Sequence, residues 1–287
     1  MHVWLNGEYQ NADDAVVAVT DRGFLLGDGF FETMRAHRGV VAWLPAHMER
    51  LAKHADMVGL PANLLPAQAD VTAIVAKLCT QADLSSAVVR ISVSRGSGPR
   101  GLLPPETPTP TVLITVAPFA PAATSDGLRL ITAQKIRRNP WSVAGTIKSL
   151  NYLDNIVAKQ EADQAGGDDA LILSVDGSVA ETTIANLFGI KDGVLWTPDA
   201  ATGILCGLAR TFVINLARAN RVDVGFEAKS PDELGDMDFL FTVNALQGLR
   251  RVATLDGKPI GAPSEIHTLF ARISQMVDAK LCDGMWL

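Results

Sequence analysis

Ala117-Pro118-Phe119-Ala120-Pro121-Ala122-Ala123-Thr124-Ser125-Asp126-Gly127 interrupts the chain with alanine, proline and small polar residues between two strand-like runs. Proline removes a backbone donor and glycine permits turns, so this composition reads as a connection rather than a structural element. It divides the 287 residues into a smaller N-terminal α/β domain over 1–117, a linker over 118–126 and a larger C-terminal domain over 127–287. Two modest domains of these sizes can each bury a core.

Upstream of that stretch, Val3-Trp4-Leu5 precedes the turn Asn6-Gly7, and Ala15 to Val19 forms a second strand-like run. Phe30 to Arg35 and Val40 to Leu44 flank Arg38-Gly39 as a hairpin would. Pro45 suits a first helical position, and Met48, Leu51 and Ala55 recur at helical spacing, which predicts a helix over 45–58. A second helix is expected over 67–82, then strands over 87–94 and 111–116 around a Gly/Pro-rich stretch from Gly96 to Pro110. Downstream, a strand over 128–134 leads to a helix over 149–165, ended by Gly166-Gly167. Asp176-Gly177 and Asp192-Gly193 are hairpin signals. A helix over 208–219, strands over 239–243 and 252–255, and a closing helix over 264–280 complete an α+β, or mixed α/β, fold in two domains.

Hydrophobic residues make up 48% of the chain and charged residues 20%, a balance that excludes a disordered protein. With a net charge of -6 and no lysine–arginine block, a nucleic-acid surface is not expected, because phosphate contacts need clustered positive charge. Cys79, Cys206 and Cys282 show no C-x-x-C spacing. That pattern suits a reducing compartment, and no metal centre is indicated. Neither a basic-then-apolar leader nor a membrane-length apolar run is present, so a cytoplasmic protein is expected.

Most lysines fall in turns or on polar helix faces. Lys148 differs: Val143-Ala144-Gly145-Thr146-Ile147 precede it and Ser149-Leu150-Asn151 follow, a small, apolar setting at a strand-to-helix junction. A partly desolvated lysine amine is the nucleophile that Schiff-base chemistry requires, although long lysines usually lie on surfaces. Glu181 follows a short strand and precedes Ile184-Ala185-Asn186-Leu187-Phe188. It is either a charge at a sheet edge or a partner for a pyridinium nitrogen. Gly203 to Arg210, entering a helix, suits an anion at the helix N-terminus as well as it suits an ordinary loop. Arg50 is a phosphate clamp or a solvated helix cation. Arg100, in a glycine-dense loop, is a carboxylate grip or part of a flexible segment.

Together these pieces resemble one family. Leu26-Gly27-Asp28-Gly29-Phe30-Phe31-Glu32-Thr33, His47-Met48-Glu49-Arg50-Leu51 and Arg95-Gly96-Ser97-Gly98-Pro99-Arg100 look like the N-terminal domain of class IV aminotransferases. Ile147-Lys148-Ser149-Leu150-Asn151-Tyr152-Leu153 looks like the family's lysine segment. Asp169-Ala170-Leu171-Ile172-Leu173 and Glu181-Thr182-Thr183-Ile184-Ala185-Asn186-Leu187-Phe188 are similar to its cofactor-carboxylate segment. The similarity runs in order along nearly the whole chain.

The resemblance implies a fold type IV enzyme that uses pyridoxal 5'-phosphate, usually as a homodimer, on a small-molecule amino substrate. Lys148 would hold the cofactor as a Schiff base and transfer the proton, Glu181 would hold the pyridine nitrogen, and Arg50 would bind the phosphate. Backbone at Leu208 and Ala209 and the Asn244-Ala245 turn would complete the phosphate cup. Phe31, Arg100 and Leu102 would face the substrate. D-amino-acid aminotransferases typically have tyrosine where this chain has Phe31, and histidine where it has Leu102. The resemblance to 4-amino-4-deoxychorismate lyase, which forms p-aminobenzoate and pyruvate, rests on Gly27-Asp28-Gly29-Phe30-Phe31, Arg95-Gly96-Ser97-Gly98, Arg138-Asn139-Pro140 and Asn244-Ala245-Leu246. A lyase of that type is the leading expectation. Transamination of D-alanine or branched-chain amino acids is the alternative, and the arginine pair Arg250-Arg251 is left between a carboxylate contact and solvent.

Overall fold

The computed structural model describes residues 1–121, 127–261 and 264–283. Of the expected linker, 122–126 lies outside the described residues, and Pro118 is the last residue of a strand. The chain forms two compact units. One comprises Met1–Ala120 with Ile147–Asn151 and the chain from Lys280; the other comprises Pro121–Thr146 and Tyr152–Ala279.

In the first unit, β1 (His2–Leu5) and β2 (Glu8–Asn11) form a hairpin about Asn6-Gly7, both at positive φ (49° and 103°). Next come α1 (Arg22–Leu26), β3 (Gly29–His37), β4 (Val40–Val41), α2 (Leu44–Met57), α3 (Gln68–Gln81), β5 (Ser86–Ser94) and β6 (Thr111–Pro118). The strands make one antiparallel sheet in the order β2-β1-β6-β5-β3-β4. Alternation along a strand sends every second side chain to one face. Phe30, Met34 and Ala36 of β3 and Val89, Ile91 and Val93 of β5 thus join Leu51 and Ala55 of α2 and Val75 and Leu78 of α3 in one buried cluster. Burying each large side chain contributes roughly 1.5–3 kcal/mol.

The run from Ala15 to Val19 is not a strand. Val16 and Val19 are exposed and pair with no neighbour, so β-propensity there has no ladder to join. The Gly27-Asp28-Gly29 motif has a steric cause. Gly27 caps α1 in the left-handed conformation (φ 67°), and a Cβ on Gly29 would stand 2.4 Å from the Val93 carbonyl.

In the second unit, β7 (Leu128–Arg138), α4 (Val143–Thr146), α5 (Leu153–Gln164), β8 (Asp169–Ser174), β9 (Val179–Thr182), β10 (Asn186–Lys191) and β11 (Val194–Trp196) come first. They are followed by α6 (Leu208–Ala219), β12 (Val224–Gly225), α7 (Pro231–Leu234), β13 (Phe239–Asn244), β14 (Gly248–Leu255), β15 (Lys258–Pro259) and α8 (Ser264–Asp283), of which the part up to Ala279 belongs to this unit. The nine strands form one mixed sheet, and the six in the order β10-β13-β14-β7-β8-β9 close on themselves because β9 also pairs with β10. Leu130, Leu171, Leu187, Leu240 and Val252 share an apolar cluster in this unit. The small residues Ala158 and Ala162 of α5 pack with Ala133, Ala170 and Ile172 of β7 and β8.

Two sequence expectations shift here. The helix expected over 149–165 begins only at Leu153, because Ser149 bridges Phe30 and Leu150 donates its N–H to the Gly29 carbonyl at 2.9 Å. For the same reason the Ile147–Asn151 segment belongs to the first unit, although the sequence division places Lys148 with the C-terminal domain.

Asp28 joins three parts of the first unit. Its carboxylate accepts from Arg22 Nε and Arg95 Nε, both at 2.8 Å. Arg22 also donates to the carbonyls of Gly101 and Leu102, and Arg95 to that of Val58. Burial opposes ionisation of Asp28, but the bonds from Arg95 and Arg22 outweigh it and hold the carboxyl below its ordinary range. Asp28→Ala is expected to lower unfolding stability by about 2–4 kcal/mol, since it leaves two mostly buried guanidinium groups without their anion. Urea unfolding of wild type and variant checks this, and an unchanged midpoint would contradict it.

Candidate active site

Lys148 is fixed by its backbone. Its carbonyl accepts from Phe31 N–H at 2.8 Å, and its own N–H lies 3.5 Å from His54 Nδ1. The segment therefore lies against β3 as a short extra strand, and the amine extends over the ring of Phe31, with Nζ 4.4 Å from the centroid. Arg90 also stacks on Phe31, with Cζ 3.6 Å from the centroid, while its Nε donates to Ser92 Oγ. Phe31 is 3% exposed, so this ring is a buried platform touched by two cations. No local motif singles out Arg90. Its signal is positional: it pairs in register with Thr33, two residues along β3 from Phe31 and on the same face.

Arg50 belongs to a buried network. Glu32, 0% exposed, accepts from Arg50 Nε at 2.7 Å and from Nη2 at 2.6 Å, and its Oε2 lies 2.7 Å from His47 Nδ1. These bonds leave Nη1 outside the pair, which is compatible with a phosphate clamp. Burial alone would raise the Glu32 pKa, but the Arg50 charge and the His47 hydrogen bond overcome it and hold the carboxyl far below its usual range. His47 is shifted down by burial, against the pull of Glu32. His54 is pushed down to about 4 by burial and by the nearby Arg50 charge. A helix spacing of three places His47 and Arg50 on one face of α2 opposite Glu32, so the pattern is legible once β3 and α2 are known to pack.

Glu181 is buried within the second unit. Its Oε1 is 2.9 Å from Arg138 Nε, both side chains being under 10% exposed. Its Oε2 accepts from Asn186 Nδ2 and from the Leu205 N–H, each at 3.3 Å. Arg138 Nη1 in turn donates to Asn155 Oδ1, whose amide donates to the Thr183 carbonyl. At 5% exposure Glu181 is no solvated charge at a sheet edge. Arg138, Asn155 and Asn186 are the positioning residues around it.

Leu208 and Ala209 open α6, whose N-cap Gly207 supplies no side-chain cap. A Cβ on Gly207 would stand 2.2 Å from Asn186 Oδ1, so the helix entrance must stay bare. Bare N–H groups at the start of a twelve-residue helix suit an anion. Asn244 closes the β13–β14 turn, its Oδ1 accepting from the N–H groups of Leu246 and Gln247, with Ala245 between. Arg100 and Leu102 lie in an exposed loop. Leu102 is 84% exposed, and Arg22 grips the loop through the carbonyls of Gly101 and Leu102.

A pyridoxal-type cofactor needs an amine to hold its aldehyde, an acid for its ring nitrogen and an anion site for its phosphate. The first unit supplies the amine of Lys148 and the cation of Arg50, and the second supplies the buried Glu181 and the bare start of α6, so the residues present are of the kinds such a group needs. His54 makes a pH prediction. In the unfolded chain it titrates near 6.5 and in the folded chain near 4, so the unfolded state binds more protons between those values. Stability therefore falls as pH drops from 6.5 toward 4, and Glu32, with its depressed folded pKa, acts in the same direction at the acid end. His54→Gln is expected to reduce the stability lost between pH 7 and pH 5 by about 1–2 kcal/mol, read by urea unfolding. Equal losses in wild type and variant would contradict the assignment.

Residues 29–255 match the sequence profile of amino-transferase class IV. A Methanocaldococcus jannaschii protein, provisionally named branched-chain-amino-acid aminotransferase, is 36% identical over 91% of this chain and 90% of its own. Aminodeoxychorismate lyase of Bacillus subtilis is 34% identical over 79% of this chain and 76% of its own. Among solved structures, Escherichia coli branched-chain amino acid aminotransferase superposes with a TM-score of 0.87 at 25% identity, over 99% of this chain and 95% of that one. The chain belongs to the class IV aminotransferase family, whose members are pyridoxal-phosphate-dependent aminotransferases and lyases.

Proposed function

We propose that the chain is a lyase acting on 4-amino-4-deoxychorismate, with Lys148 as its catalytic residue. The observation that carries this reading is the stack of Lys148 and Arg90 on Phe31. A substrate with an amine and two carboxylates needs a fixed cation near the reacting amine, and a guanidinium held on a buried ring is one. The hydrocarbon ring of Phe31 and the exposed Leu102 supply none of the extra carboxylate donors that D-amino-acid aminotransferases carry there. Likeness to the Bacillus subtilis lyase adds support.

When bound, pyridoxal phosphate supplies an electron-withdrawing ring that acidifies the carbon carrying the substrate amine. In this reading Lys148 holds the cofactor, and its released amine takes the proton from that carbon as the neighbouring ring carbon–oxygen bond breaks, then delivers it to the departing enolpyruvyl group, which leaves as pyruvate. Glu181, held by Arg138 and Asn186, keeps a proton on the ring nitrogen. Arg50, oriented by Glu32, is the first unit's cation for a phosphate, and the backbone of Leu208, Ala209 and the Asn244-Ala245 turn is the second unit's source of N–H donors for one. Phe31 excludes water from the face on which the lysine works, and Arg90 receives a carboxylate.

A second reading, transamination of branched-chain amino acids, is favoured by the 36% identity to the Methanocaldococcus jannaschii relative. The two differ in turnover, because a transaminase requires a 2-oxo acid acceptor and a lyase does not. Release of p-aminobenzoate from 4-amino-4-deoxychorismate without added 2-oxo acid is the expected result. Arg90→Gln is expected to raise KM about tenfold or more, the cost of one charge-assisted contact. No release, together with conversion of leucine and 2-oxoglutarate, would reject the lyase in favour of the transaminase.

A further inference from the structure

Within the second unit lies a cavity of about 330 Å³, near the lower end of the roughly 300–1,000 Å³ typical of small-molecule sites. Four charged residues line it: Lys159, Asp168, Asp169 and Arg250. Two of these are already engaged. Asp168 is held by both Arg129 Nε and Nη2, and Lys159 donates to the Asp168 carbonyl. Asp169 and Arg250 differ. Neither has an ion-pair partner among the described residues. Asp169 is 6% exposed, and its Oδ1 accepts from the Ala170 N–H and from Thr183 Oγ1. Arg250 stands opposite Thr242 in the β13–β14 register, and Thr242 lines the same cavity. The remaining walls are largely apolar, with Leu128, Ile156 and Ile184 among them.

We propose that this cavity binds an α-amino acid with an apolar side chain in its zwitterionic form. Arg250 takes the carboxylate, Asp169 the ammonium, and the apolar walls the side chain. Electrostatics selects this class of ligand. A simple carboxylate satisfies Arg250 but brings a second anion to the buried Asp169, and a simple amine repeats the problem with the signs reversed. Only a molecule carrying both charges matches both groups. The cavity shares Asn244 with the proposed phosphate cup, but the inference uses neither Lys148 nor the cofactor and stands independently of the lyase reading. It also resolves the arginine pair of the sequence: Arg250 faces a cavity, whereas Arg251 reaches toward the Ile260 carbonyl.

The test is equilibrium dialysis of leucine against the full-length protein after borohydride treatment. Reduction fixes any aldehyde held by Lys148, so leucine cannot react there, and it leaves the cavity unchanged. Saturable binding is expected. Arg250→Gln and Asp169→Asn should each weaken it about tenfold or more, while Lys191→Gln, which alters only the exposed pair with Asp238 outside the lining, should not. 4-Methylpentanoate, lacking the ammonium, and 3-methylbutylamine, lacking the carboxylate, should each bind about tenfold more weakly than leucine. Absent leucine binding, unchanged binding in both cavity variants, or equally tight binding of either half-molecule would overturn the proposal. These readouts do not involve p-aminobenzoate release, so failure of either proposal leaves the other standing.

Discussion

The two backbone hydrogen bonds that lay residues 148–150 against the start of β3 constrain the rest of the first unit. Phe31 N–H donates to the Lys148 carbonyl and Leu150 N–H to the Gly29 carbonyl. A lysine on a free loop would sample many rotamers and keep its amine hydrated. Here the backbone is set before the side chain begins, and the amine is aimed over a buried ring. Gly27 and Gly29 exist for this pairing. The first lets Asn151 approach closely enough to donate to its carbonyl, and the second leaves no Cβ against Val93. The late start of α5 is the same constraint seen from the other side, since residues paired as a strand cannot also be the first turn of a helix.

Charge in both units is handled by a common device. A buried carboxylate is saturated by an arginine and a second donor, and the arginine is thereby oriented. Glu32 with Arg50 and His47 is one instance, and Glu181 with Arg138 and Asn186 another. Such pairs add little net stability over an apolar core of the same shape, but they fix geometry, which is what positioning an anion or a ring nitrogen requires. Asp28 with Arg22 and Arg95 uses the same arrangement structurally, to hold a loop.

Much of the scaffold was legible from local pattern. α2, α3 and α6 follow the 3.6-residue spacing of Met48, Leu51 and Ala55 and its counterparts, and the hairpins follow Asn6-Gly7, Asp176-Gly177 and Asp192-Gly193. Where pattern failed, a distant partner decided the outcome. Ala15–Val19 has strand composition but no neighbouring strand, and Ser149-Leu150 has helix composition but pairs with β3. Lys148, Arg50 and Glu181 could be named because each carries a charge in an unusual local context or in a family motif. Arg90, His54, Asn155 and Arg138 could not be given roles, because those roles come from register and packing between segments far apart in sequence.

Lys148 as the residue that carries the cofactor is tested directly by one measurement. The purified yellow protein is reduced with borohydride and digested, and the peptide bearing the pyridoxyl group is located by mass spectrometry. The account predicts a single modified peptide with the label on Lys148 and none in Lys148→Ala. Label on another lysine, or an unchanged visible spectrum in Lys148→Ala, would contradict it.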